Sequence, residues 1–345
     1  MISMPEPIDF VITWVDGDDP QWIKKKEDVL QKISDKSRID FRIRRFRNWH
    51  NLLYLFRGIA KYASWVNHIY LVTPNQFPDW LNTNNSRVTV INQDDSFDDK
   101  SVLPTFNNCA VELLLHKIPG LSEQFVYLND DMFILDKTRE TDFFRNNLPR
   151  ITAAMSPLFP RYSSDGKITT YGIDTHKLSI VARHFRKKEI LKKNWMKFFY
   201  PGNGREILKT ICCLPFRGIP GFNEMHIAYS YLKSIFEKVW EAEPKALEDT
   251  LKIRFRGEFC HNHHAMRYWQ MASGTFSVRN RSFSKMYDIL YRGCEDNAIL
   301  SIERGHTKMI CINDSLAVDE DFELIKNRIN AAFEKKFPDK CEFEK

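Results

Sequence analysis

Residues 8–15 form an apolar, largely β-branched run, interrupted only by Asp9 and Thr13, that stops at Asp16-Gly17-Asp18-Asp19-Pro20, the pattern of a buried strand ended by a turn. The same arrangement recurs at Phe125-Val126-Tyr127-Leu128-Asn129-Asp130-Asp131, where an apolar strand over 124–128 delivers an amide and two carboxylates. Helical and strand spacing alternate between these two points. A helix is expected from Gln21, and another over 48–62 with Leu52, Leu55, Phe56 and Ile59 on one face. Strands are expected over 68–73 and 87–92, then a helix over 106–118 closed by Pro119-Gly120. Such alternation predicts an α/β fold with a mostly parallel central sheet, which binds ligands beyond the carboxyl ends of its strands. Both acidic strand ends should therefore face one crevice.

Beyond residue 150 the pattern loosens. Helices are expected over 186–199, 226–240 and 264–272, and a surface-packing helix over 319–333. A chain of 345 residues with 43% hydrophobic content can bury a large core. We divide it into a first unit over 1–275, made of a regularly alternating half (1–150) and a mixed helical half (151–275), followed by a mainly helical extension over 276–345. The seven cysteines lack paired spacing and read as reduced thiols. No secretory signal and no apolar run of bilayer length is evident, so a cytoplasmic protein is expected. The net charge of +6 favours anionic partners, and peripheral contact with the inner face of the membrane is included in that expectation.

Adjacent aspartates are costly to bury without a cation beside them. Asp130 and Asp131 at a strand end suit Mg²⁺ or Mn²⁺, whose remaining coordination comes from water and phosphate oxygens. Asp16, Asp18 and Asp19 repeat the theme. Arg42, Arg44, Arg45 and Arg47 place four guanidinium forks in six positions, a match for a diphosphate or an anionic acceptor. No nucleic-acid-reading motif accompanies them. His116 follows Glu112 by four residues, so the two share a helix face and could hydrogen-bond. His226 stands alone. Cys260, His261, His263 and His264 superficially resemble a zinc site but lack a second ligand pair.

These motifs carry a family resemblance. Residues 8–20 with Trp22 resemble the first motif block of the Stealth proteins, which include bacterial capsule phosphotransferases and the animal lysosomal-enzyme GlcNAc-1-phosphotransferase. The second block is similar over 45–80, notably Arg45-Phe46-Arg47 and Tyr70-Leu71-Val72-Thr73. The third runs from Leu103-Pro104-Thr105-Phe106-Asn107 to Asn129-Asp130-Asp131, and the fourth over 256–274, with Met266-Arg267-Tyr268-Trp269-Gln270.

The resemblance implies a glycosyltransferase-A-like nucleotide-sugar fold with added helical elements, and transfer of a sugar 1-phosphate from a UDP-sugar to a lipid-linked or free polysaccharide. It assigns Asp16, Asp130, Asp131, His226 and Arg256 to catalysis, with Asp130 and Asp131 as metal ligands. Trp14, Asp19, Arg45, Arg47, Asn107, Glu112, His116, Asn129 and Asn262 are assigned to substrate binding. His226 is favoured over His116 as proton acceptor. Several positions depart from the family pattern. Arg47-Asn48-Trp49-His50 stands where many relatives read Arg-Asp-Trp-Asp, Cys260 replaces an acidic residue, and His226 lacks the prolines that commonly follow it. A conventional metal-dependent glycosyltransferase releasing UDP, and a non-catalytic glycan-binding subunit, are the competing readings.

Overall fold

The computed structural model describes residues 6–36, 39–159, 171–305, 307–316 and 319–345. Its central sheet holds five strands in the order β3-β2-β1-β4-β8. The first four are β1 (Ile8–Thr13), β2 (Ile69–Thr73), β3 (Val88–Asn92) and β4 (Gln124–Asn129), all parallel. Helices α1 (Pro20–Gln31), α2 (Leu52–Tyr62) and α3 (Asn108–Leu113) lie in the connections. The α/β class and mostly parallel sheet are thus those the periodicity predicts. Strand β1 is buried along its whole length, which explains its largely apolar sequence, and its one carboxylate, Asp9, accepts from Asn67 Nδ2 and Ser122 N–H at 2.7 Å each.

Strand β5 (Met132–Ile134) leaves the central sheet immediately after Asp131. Helix α2 packs closely on it, because a Cβ at Gly58 would lie 2.6 Å from the Ile134 carbonyl oxygen. Next come α4 (Glu140–Phe143), β6 (Phe144–Arg145) and β7 (Leu148–Ile151). Helices α5 (Tyr171–His184), α6 (Lys187–Phe198) and α7 (Glu206–Cys213) form a lobe with its own apolar cluster around Met155, Val181, Phe198 and Phe222.

The expected helix over 226–240 is corrected. Strand β8 (Tyr229–Leu232) comes first and pairs antiparallel with β4, and α8 (Lys233–Ala242) follows. Tyr229 and Tyr231 pack across the ladder on Tyr127 and Phe125, so period-two contacts prevail over a helical pattern. The expected helix over 106–118 is also shorter, since α3 ends at Leu113 and a 3₁₀ turn covers Leu115–Lys117.

The remainder comprises α9 (Pro244–Leu251), α10 (His264–Ser273), β9 (Ser277–Val278), β10 (Ser284–Ile289), α11 (Glu295–Arg304), β11 (Met309–Asp314) and α12 (Phe322–Lys336). β11 pairs with both β10 and β5, so the last seventy or so residues are stitched to the segment that follows the paired aspartates. Among the described residues no helix is long and apolar enough to cross a membrane.

Candidate active site

Thr13 lies opposite Asn129 in the β1–β4 ladder, so Trp14 and Asp130-Asp131 leave the sheet side by side. They open on a cleft of about 870 Å³. Its other walls carry Arg45, Arg256, Asn107 and Glu112, then Lys177, Glu224, His226, Asn262 and His263, and finally Asp288, Tyr291 and Asn313.

His226 precedes β8 and swings over the end of β4. Its Nδ1 is 2.9 Å from the Tyr229 hydroxyl, and its Nε2 is 3.2 Å from Asn129 Nδ2 and 3.3 Å from Asp131 Oδ2. Burial works against a charged imidazole, yet the Asp131 carboxylate outweighs it and the pKa is raised. Cys311 on β11 donates its thiol proton to the same Asp131 oxygen at 3.3 Å, and burial holds that thiol well above its ordinary pKa. The other Asp131 oxygen, Oδ1, is buried without a hydrogen-bond partner. Burial, with the charge of Asp131 adding to it, pushes Asp130 up to about 7. Two adjacent carboxylates, one raised and one with an orphaned oxygen, fit a hard divalent cation. Donor atoms of Asp131, His226 and Cys311 lie within 4.8 Å of one another.

Glu112 is the second buried carboxyl. Its Oε1 accepts from Asn108 Nδ2 at 2.6 Å and from the Tyr127 hydroxyl at 3.1 Å, and Tyr127 is linked in turn to Thr13 at 2.9 Å. Burial raises its pKa to about 8. A carboxyl raised in the folded state stabilises the fold below its ordinary value of 4.5, and that contribution is lost as pH rises through about 8. Glu112→Gln should therefore raise the Tm at pH near 8 and leave it little changed near 5, as thermal unfolding at both pH values would reveal.

Across the cleft, the backbone around Arg256 is fixed by Asp40 N–H donating to Arg256 O at 2.7 Å and by Phe106 N–H donating to Arg254 O at 2.7 Å. Burial opposes the Arg256 charge, but Cys109, Glu112, Asp40 and Cys260 more than offset it and its pKa is raised. Arg45 donates to Asp40 at 2.7 Å, and burial together with the nearby Arg256 lowers its pKa to about 10. Two guanidiniums held this close favour an anion between them. Cys260 behaves as an acceptor. The Cys109 thiol donates to it, as do Gly257 N–H at 3.3 Å and Asn107 Nδ2 at 3.4 Å, which lowers its pKa.

Other expected site residues lie elsewhere. Asp16 sits at the rim outside the cleft lining, its Oδ1 accepting from Asn48 Nδ2 at 3.0 Å, while His50 pairs with Asp18 at 3.0 Å. Asn48 and His50, two departures from the family pattern, thus place a donor beside each carboxylate. Asp19 caps α1 and accepts from Gln76 at 3.0 Å, a structural use of a residue assigned to substrate. Arg47 is withdrawn altogether, because it grips Asp314 at 2.5 and 2.8 Å and Asp319 at 2.7 Å while its guanidinium lies 4.4 Å from the Phe322 ring. His116 is not bonded to Glu112. It stacks on Phe236 at 5.7 Å, outside the cleft, and burial lowers its pKa to about 4.

Asn129, Asn107 and Asn262 line the cleft. The residues around Cys260 do not converge on one point, since His263 Nδ1 bonds the Tyr231 hydroxyl at 2.7 Å. Sequence reasoning missed Lys177, whose almost fully buried ammonium pairs with Asp174 at 2.7 Å and with Glu224. It also missed Cys311 and Tyr291, and no local spacing announces any of the three.

A mostly parallel sheet that brings the acidic end of β4 into one cleft with Arg45 and Arg256 defines an α/β enzyme built around an anionic substrate. The chain belongs to the Stealth family. Stealth conserved region 1 matches residues 6–34 and conserved region 2 matches 45–151. It is 40% identical to the capsular polysaccharide phosphotransferase WcwK of Streptococcus pneumoniae, over 99% of this chain and 98% of that one. It is 36% identical to the exopolysaccharide phosphotransferase cps2G of Lactiplantibacillus plantarum, with the same coverage. It is 34% identical to the receptor polysaccharide phosphotransferase WefC of Streptococcus oralis, over 98% and 99% of the two chains. Among solved structures, mouse xyloside xylosyltransferase 1 shares 10% identity at a TM-score of 0.39, covering 91% of this chain and all of that one. The galactosyltransferase LgtC gives 9% and 0.37, covering 94% of this chain and 95% of that one.

Proposed function

We propose that this protein transfers a sugar 1-phosphate from a UDP-sugar to a hydroxyl of a growing cell-surface polysaccharide, leaving a phosphodiester and releasing UMP. Full-length similarity to polysaccharide phosphotransferases supports the reaction class. The observation that carries it to particular residues is the convergence of Asp130, Asp131, His226 and Arg256 on one cleft.

Asp130 and Asp131 would hold Mg²⁺ or Mn²⁺, which neutralises diphosphate charge when bound. Arg45 and Arg256 bind and orient the phosphates and stabilise charge on the transferring group. His226 takes the proton of the acceptor hydroxyl at Nε2 as that oxygen forms its bond to the β-phosphorus and the bond to the UMP oxygen breaks. Tyr229 fixes the ring through Nδ1, and Asp131 stabilises the imidazolium that results. Glu112, raised by burial, keeps Tyr127 and Asn108 in place beneath the donor. We place the reaction at the cytoplasmic face of the membrane, with a lipid-linked or free glycan as acceptor.

Incubation with UDP-sugars, a bacterial polysaccharide acceptor and Mg²⁺ or Mn²⁺ tests this reading through the nucleotide released. UMP with phosphorus retained in the glycan supports it, whereas UDP with a phosphorus-free product makes the protein a conventional glycosyltransferase. Tyr291 is 66% exposed on the wall of the cleft that Asp288 and Asn313 also line, a setting suited to stacking on a sugar ring. Tyr291→Ala should raise the acceptor KM about tenfold while the donor KM holds, by steady-state kinetics with each substrate varied.

A further inference from the structure

Helices α6 and α7 are consecutive, and their outer surfaces set large exposed apolar side chains among basic ones. Met196 is 69% exposed, Trp195 58%, Leu208 63% and Phe216 66%, and Ile211 and Leu214 are exposed beside them. On α7, Leu208 and Ile211 project opposite the buried Thr210 and Cys213, so the apolar side chains form an outward stripe and not a frayed core. The two helices are tied together, because the buried Lys187 ammonium at the start of α6 donates to the carbonyls of Cys213 and Leu214 at 2.7 and 2.9 Å and to that of Phe216. This fixes the apolar tail of α7 next to the basic beginning of α6.

The charge around this surface is one-sided. Residues 186–217 contain nine lysines and arginines against two glutamates, and one of those, Glu206, is buried against Lys209 and Arg281. Arg186, Lys188, Lys192, Lys193, Arg205 and Arg217 are exposed. Aliphatic and tryptophan side chains set among cations are what a helix lying in the headgroup region of an anionic bilayer requires. A second copy of this chain would bring like charges together, which disfavours a symmetric dimer through the same face.

We propose that the outer surface of α6 and α7 docks the protein onto an anionic membrane leaflet, with Trp195, Leu208, Ile211 and Phe216 entering the headgroup boundary and the basic side chains engaging lipid phosphates. The surface borders the cleft, since Lys209 of α7 reaches Asn223 at 3.3 Å and the next residue, Glu224, lines it. Docking would therefore hold a lipid-borne acceptor near the site. That consequence rests on the proposed reaction, but docking itself does not.

The test is cosedimentation of the full chain with vesicles of phosphatidylcholine alone or mixed equally with phosphatidylglycerol. The wild type is expected to pellet with the anionic vesicles, and a rise in salt should release it. Leu208→Glu with Phe216→Glu, and separately Lys192→Glu with Lys193→Glu, should each lower the bound fraction at least about tenfold. If the first pair unfolds, as judged by thermal melting, Leu208→Ser with Phe216→Ser makes the same measurement. Vesicle-induced blue shift of tryptophan emission should be lost in Trp195→Phe. Wild-type protein left in the supernatant, equal pelleting by the variants, or sedimentation without vesicles through self-association would each overturn the proposal. Because no nucleotide sugar is used, failure here leaves the reaction assay unaffected, and failure of that assay leaves docking standing.

Discussion

Asp131→Asn is expected to lower sugar-phosphate transfer by about a thousandfold or more, the scale on which preorganised charge and a positioned base act. One oxygen of this carboxylate faces His226 and Cys311, and the other is buried without a partner. On the proposed mechanism the substitution removes a metal ligand and the counter-charge of the base in one change. Asp131 is the group that raises the His226 pKa against burial, so the residual activity should carry a second signature. If His226 accepts the acceptor proton as proposed, it must be neutral to do so, and kcat of the wild type should fall as pH drops through a value above 6.5. In the variant that acid limb should move to lower pH. A pH profile of kcat on both proteins checks this, and an unmoved limb would assign the titration to another group.

The second large effect is steric. A Cβ on Gly17 would lie 1.5 Å from the Phe46 carbonyl oxygen and 2.5 Å from its carbon, both backbone atoms that cannot rotate aside. Gly17→Ala must push the turn after β1 away from the segment carrying Arg45. That segment is anchored by Phe46 against Trp22 at 5.4 Å, so it cannot follow freely. We expect a loss of roughly 3 kcal/mol in stability from overpacking and a fall in activity of about a hundredfold from misplacement of the arginine wall. Urea denaturation and donor KM measure the two separately. Wild-type values in both would show that the turn and the arginine wall move independently.

The chain's periodicity determined the sheet. Residues buried on both faces must be largely apolar, and residues on a helix must repeat near 3.6, so β1, β4 and the helices between them are local properties. The acidic end of β4 was equally legible, because a parallel sheet places all carboxyl ends on one edge, but that of β1 stays outside the cleft lining, where Asn48 and Gln76 hold Asp16 and Asp19. Motif order identified the Stealth family. Which charged groups face the cleft was not legible. Arg47 and Arg45 are two positions apart and chemically alike, yet Arg47 is consumed by Asp314 and Asp319, more than 260 residues away, while Arg45 remains on the cleft wall. His116 and Glu112 had helical spacing, but α3 ends at Leu113, and the imidazole turns to Phe236. β8 was hidden because its preference for a strand comes from the tyrosine and phenylalanine side chains of β4. Cys311 approaches Asp131 only because β11 pairs with β5. Sequence by itself determined those features fixed by local burial and spacing. Tertiary structure decided the rest, because the partner that sets each side chain's direction, charge state or use lies on a distant segment, and such pairings leave no periodic trace in the chain.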